Sequence, residues 1–103
     1  MDAKELIAEA EQLQDELAGI RHELHMHPEL GFELEFTKPF VKNKLEAMGF
    51  EVEEIGKAGL VTTISGGKPG KTVLIRADMD ALPINEEADV EYKSKIPGKM
   101  HAC

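Results

Sequence analysis

The 103 residues carry 12 Lys and Arg against 20 Asp and Glu, a formal charge of -8. That balance argues against nucleic acid as a main partner, because phosphate binding needs clustered cations. A 42% share of hydrophobic residues suffices for one modest core and not for two domains. No apolar run approaches the roughly 18 to 20 residues of a membrane span, and no basic, apolar leader opens the chain, so the expectation is a cytoplasmic protein without a membrane partner. The one cysteine, Cys103, cannot form an internal disulfide and gives no sign of an oxidising compartment.

In chain order, Asp2 caps a first helix in which Leu6, Ala10, Leu13, Leu17, Ile20 and Leu24 recur at steps of four and three. The stripe predicts one long amphipathic helix packed on a sheet in preference to a coiled coil, with Glu5, Glu9, Glu11, Asp15 and Glu16 on its polar face. It should finish near His27, because Pro28 disfavours the helical region for the residue before it and Gly31 opens a turn. His22, His25 and His27 crowd this end. The zincin pattern needs histidines four apart with Glu beside the first, and His22 and His25 are three apart. Helix-end and structural hydrogen-bonding roles are therefore preferred over metal binding, with Glu23 and Glu29 as local counter-charges.

Thr37 reads as the cap of a second helix, with Pro39 early enough to be tolerated, Phe40, Val41, Leu45 and Met48 on its inner face and Gly49 at its end. Phe50 to Ile55 alternates in period two, as a half-buried strand does, with Glu51 and Glu53 outward. Gly56 to Gly59 turns the chain into a second strand, Leu60 to Ser65. The following GGKPGK joins two strands and lacks the spacing and the helix of a phosphate loop, so it reads as a turn. Beyond Pro83 no regular element is expected.

Lys71 to Pro83, KTVLIRADMDALP, carries the densest chemistry. Val73, Leu74 and Ile75 form a continuous apolar run that reads as a strand buried on both faces. Arg76, Asp78 and Asp80 follow within five residues and must meet partners, solvent or a metal. Two readings stand: a site built at the end of a sheet strand, or a salt-bridged turn in which Arg76 pairs with either acid.

Three stretches, RHELHMHPELGFE at 21–33, IRADMDALP at 75–83 and KMHAC at 99–103, together resemble the amino end of the metal-dependent amidohydrolases related to hippurate hydrolase, N-acyl-amino-acid deacylases and the indole-acetyl-amino-acid hydrolases. The resemblance implies an α/β fold: two amino-terminal helices, then three strands, the first part of an aminopeptidase-like zinc-hydrolase catalytic domain with a mixed central sheet. It implies that residues 1–103 are the incomplete amino-terminal part of that domain, without the dimerisation domain. Cys103 corresponds to the thiolate ligand of the family's metal pair (zinc, manganese, nickel or cobalt), and the other ligands and the general base would lie beyond residue 103. Asp80 matches an acid that positions a metal ligand, and Asp78 stands where many relatives carry histidine. His101 helps to shape the ligand loop.

The implied reaction is hydrolysis of a small N-acyl or aryl-acyl amino acid to acid and amino acid. One thiolate cannot hold two metals, so the expectation is no stoichiometric metal and no activity for this chain alone. The alternative is a short non-catalytic module that binds a partner or forms a homo-oligomer through its sheet edge or long helix.

Overall fold

The computed structural model describes residues 1–103 as three helices and one hairpin, in the order α1 (Ala3–Gln12), α2 (Gln14–Met26), α3 (Thr37–Ala47), β1 (Glu53–Ile55) and β2 (Gly59–Val61). Asp2 caps α1 as expected. Its carboxylate accepts from Glu5 N–H at 2.9 Å, and the Glu5 carboxylate accepts from Asp2 N–H at 2.9 Å, a reciprocal capping box. The single long helix is corrected to two: Leu13 N–H bonds to Ala10 O at 3.1 Å, a tighter turn that interrupts the ladder before Leu17 N–H resumes it on Leu13 O. No residue of α1 is buried, so no packing partner holds this part of the stripe to a straight continuation.

A second correction falls at α3. Thr37 is its first helical residue, not its cap, and is only 1% exposed. The preceding Phe36 makes no side-chain cap. The Glu29 carboxylate, eight residues upstream, fills that role by accepting from Phe36 N–H at 2.9 Å and Thr37 N–H at 2.7 Å. Two otherwise unpaired donors of the first turn are thereby satisfied from outside the helix. Pro39 falls within the first turn, where its missing donor costs nothing. Gly49, at φ +91, ends the helix. Phe40, Val41 and Leu45 are half-buried as an inner face requires, whereas Met48 is exposed.

The strands form an antiparallel pair in the register Glu53↔Val61, Glu54↔Leu60, Ile55↔Gly59. Gly56 turns at φ +63, and at Gly59 a Cβ would stand 2.6 Å from the Ile55 carbonyl oxygen, so this close approach admits only glycine. The hairpin packs against α3 through β2. Lys38 and Lys42 of α3 reach Glu54 at 2.7 and 3.4 Å, and together they hold its carboxyl below the usual range. Buried Leu34 and Ala58 lie in the flanking turns.

The third strand and the mixed sheet are not found. Val73, Leu74 and Ile75 are 80%, 86% and 90% exposed, and from Thr63 to Asp80 the backbone makes no hydrogen bond to another backbone group. A strand exists only where a neighbour receives its ladder, and the sheet of residues 1–103 consists of β1 and β2 alone. After Pro83 the chain is irregular, as expected, apart from a bridge between Leu82 and Met100 closed by two hydrogen bonds of 2.9 and 3.0 Å. No helix is long and apolar enough to cross a membrane.

Candidate functional site

The carboxyl end of α2 is the platform on which the rest of the chain is laid, and each of its three histidines serves a different segment. His22 accepts from the Arg21 guanidinium at 3.0 Å and stacks face to face on Tyr92, with ring centres 3.7 Å apart. Buried His25 donates from Nε2 to the buried Glu86 carboxylate at 2.9 Å and meets Tyr92 edge-on. His27 donates from Nδ1 to the Glu23 carbonyl at 2.9 Å, closing the helix end, and stacks on Phe36. These are the helix-end and hydrogen-bonding roles read from the sequence. Glu23 is a counter-charge to His27, at 3.7 Å, but Glu29 is spent on α3 instead.

Glu29 also joins α2 to the acid-rich segment, because its backbone carbonyl accepts from Ala81 N–H at 2.7 Å. This fixes the chain just after Asp80. The Leu82–Met100 bridge then brings the last residues alongside. Asp78, His101 and Cys103 consequently line one cleft of about 360 Å³, floored by Leu24, His25, Thr37 and Val41, with Arg21 at its edge. Asp80 is not part of its lining, although its charge is felt at His101. Arg76 is not part of the lining either: it pairs with Asp78 at 2.5 Å, with both side chains largely exposed. The salt-bridged turn and the cleft are thus both present, and Asp78 belongs to each.

Burial pushes the His101 imidazole below its ordinary range; nearby His25 adds to this, while Asp80 and Glu29 pull the other way. Its Nε2 is buried without a hydrogen-bond partner, as is the hydroxyl of Thr37. Cys103 is exposed. The donors in the cleft suit a divalent metal in kind, thiolate, imidazole and carboxylate. In arrangement they fall short, since no group of three or more His, Cys, Asp or Glu side chains in the chain is placed to hold an ion.

Glu86 and Ser94 are positions that sequence reasoning missed, and Glu29 was read only as a counter-charge and not as the cap of α3. Glu86 accepts from Ser94 N–H at 2.6 Å as well as from His25, and these bonds hold its carboxyl below the usual range. A lone Glu among charged neighbours (INEEADVE) gives no local sign that it is the one turned inward. Pro28-Glu29 directly after a helix was the only available hint at a tertiary cap.

No protein-family model matches the chain. Individual proteins do. The chain is 48% identical over 99 residues to the hippurate hydrolase of Campylobacter jejuni, covering 95% of this chain and 26% of that protein. It is 41% identical over 104 residues to the N-acyl-L-amino acid amidohydrolase of Geobacillus stearothermophilus, covering 100% of this chain and 28% of that one. Among solved structures it matches the Bacillus subtilis YXEP protein, a dinuclear metal-binding peptidase of the M20 family, with a TM-score of 0.83 at 37% identity over 90% of this chain and 27% of the other. Over nearly its whole length the chain is thus similar to proteins named as amidohydrolases and hippurate hydrolase and to a dinuclear metal-binding M20 peptidase, in line with the resemblance of its three motifs. It spans about a quarter of the length of the relatives it matches.

Proposed function

We propose that residues 1–103 are the amino-terminal part of the catalytic domain of a metal-dependent amidohydrolase that cleaves small N-acyl or aryl-acyl amino acids to acid and amino acid. The observation that carries this reading is the meeting of Asp78, His101 and Cys103 in one cleft, from segments more than twenty residues apart in sequence. In a complete catalytic domain Cys103 would supply a thiolate ligand to a divalent metal pair, Asp80 would stand beside the site as a positioning acid, and Asp78 would line it. The names of the relatives support the substrate class. A cytoplasmic location is part of the same proposal; no helix of residues 1–103 is long and apolar enough to cross a membrane.

The chain alone supplies too few converging ligands for stoichiometric metal and should not turn over substrate. The decisive experiment combines intact mass, metal content and assays on hippurate and acetyl-amino acids, for this chain and for a form extended to the relatives' length. The extended form should hold metal and hydrolyse; in it, Asp80→Ala should lower activity by about 10- to 100-fold, as loss of a ligand-orienting group does. Stoichiometric metal and turnover in the 103-residue chain would overturn the assignment of inactivity. An extended form that binds no metal would overturn the role given to Cys103.

The bare apolar segment Val73–Ile75 favours a second reading, a non-catalytic module that self-associates through this edge. An in-frame stop after the Cys103 codon would support it, and a frame continuing into further ligands would not.

A further inference from the structure

We propose that His25 and Glu86 are a positioning pair for the Met100–Cys103 segment. Glu86 lies outside the three motifs from which the site was read, and His25 falls within the first of them with only a helix-end or hydrogen-bonding role assigned there; the proposal rests on the proposed function only in naming Cys103 as the group whose position matters.

The Leu82–Met100 bridge has two hydrogen bonds and closes a 17-residue excursion, residues 83–99, that contains no helix or strand. Closing so long a flexible loop is entropically unfavourable, so an isolated two-bond bridge would open readily. Here the excursion is tied down partway. Glu86 lies buried against His25 of α2, and its second oxygen accepts from Ser94 N–H at 2.6 Å. The adjacent Lys95 N–H bonds to Met26 O at 3.0 Å, and Ser94 Oγ donates to Lys99 O at 2.8 Å. Asn85 Oδ1 accepts from Gly98 N–H at 3.0 Å. The loop is thereby divided into short spans, each anchored to α2 or to itself, and Met100 is delivered to Leu82 already oriented. Asp78 and Asp80 are held separately by the Ala81–Glu29 bond, so the relative position of Cys103 and the acids depends on how firmly the His25–Glu86 pair holds the other arm.

The charged and polar groups of the pair satisfy each other, and removing the carboxylate leaves the buried His25 Nε2 and the half-buried Ser94 N–H without this acceptor. In Glu86→Ala, amide hydrogen exchange at Leu82 and Met100 should therefore quicken by about 10- to 100-fold, the factor expected for stranding a buried donor. Amides within α3 should keep their wild-type rates. Glu86→Gln keeps an oxygen to accept from Ser94 N–H, and its NH2 donates to His25 Nε2 once the neutral ring carries its proton on Nδ1, so it should restore slow exchange at both sites. Because Cys103 is the only cysteine, a nitroxide attached there reports its position directly. In the wild type it should broaden the amides of Ala77, Asp78 and Met79, which share the cleft with it; in Glu86→Ala that broadening should weaken, and in Glu86→Gln it should return.

Unchanged exchange at Leu82 and Met100 together with unchanged broadening would overturn the proposal. If Glu86→Ala loses the α3 amides as well, His25→Gln decides in its place under the same criteria. Neither readout involves a metal, so failure of Cys103 to bind one would count against the proposed function and leave this test standing.

Discussion

Glu29 does two jobs from one position, capping α3 with its side chain and holding Ala81 with its carbonyl, and its chemistry sets an acid limit on the fold. Burial opposes its ionisation, but the Phe36 and Thr37 N–H groups outweigh that and hold its carboxyl below the ordinary 4.5. A depressed carboxyl stabilises the folded chain above the unfolded value, and the contribution fades as pH falls from about 4.5 through the lower folded value. Glu86 acts in the same direction through Ser94 and His25. Glu29→Ala should cost about 1 kcal/mol at neutral pH, typical of a lost N-cap, and that difference from wild type should shrink as pH is lowered below 4.5. Urea unfolding at pH 7 and pH 4 checks both parts; an equal loss at the two values would show that the carboxylate's charge is not what caps α3.

The hairpin shows how far an element can be specified by its own residues. Alternation located β1, and the glycines at 56 and 59 located its turn, although the strands proper are only three residues each. Pairing stops at Val61 because no second neighbour extends the ladder. Gly59→Ala should destabilise the chain by about 1 to 3 kcal/mol, the usual range for forcing an extra carbon into filled space, because its Cβ would meet the Ile55 carbonyl at 2.6 Å. Denaturant midpoints of the two proteins would measure this. A change of a few tenths would mean that the turn shifts to make room. Val73–Ile75 is the opposite case: the residues ask for burial on two faces, and the fold of residues 1–103 supplies neither.

The molecule as a whole is spread out for its mass. Its radius of gyration is 16.1 Å, against about 13 Å for a compact domain of this length, and its surface is 8363 Å² where roughly 5,800 Å² is usual. The exposed residues include large apolar ones: Ile64, Val73, Leu74 and Ile75 between the hairpin and Arg76, Leu6 and Ile7 on α1, Leu13 at its junction with α2, and Leu17 on α2. Surface of that kind favours association. Sedimentation of the purified chain should therefore show oligomers that grow with concentration, and Leu74→Lys should shift the distribution towards monomer with little change in unfolding midpoint. A compact monomer over a wide concentration range would contradict the association proposed here.

The motifs RHELHMHPELGFE, IRADMDALP and KMHAC were legible in the sequence, and with them the similarity to amidohydrolases, because ligand and turn chemistry is written in short runs of particular residues. The start of α1, the end of α2, the glycine stop of α3 and the hairpin turn were equally legible, since caps, prolines and glycines act on their immediate neighbours. What the tertiary structure alone decided is which distant groups meet. Glu29 crosses eight residues to cap α3, Glu86 crosses sixty-one to reach His25, and Leu82 finds Met100. Whether an apolar run becomes a strand belongs to the same class. Val73–Ile75 has the residues of a buried strand, but a ladder and a cover are properties of its neighbours, and these lie outside what the run itself encodes.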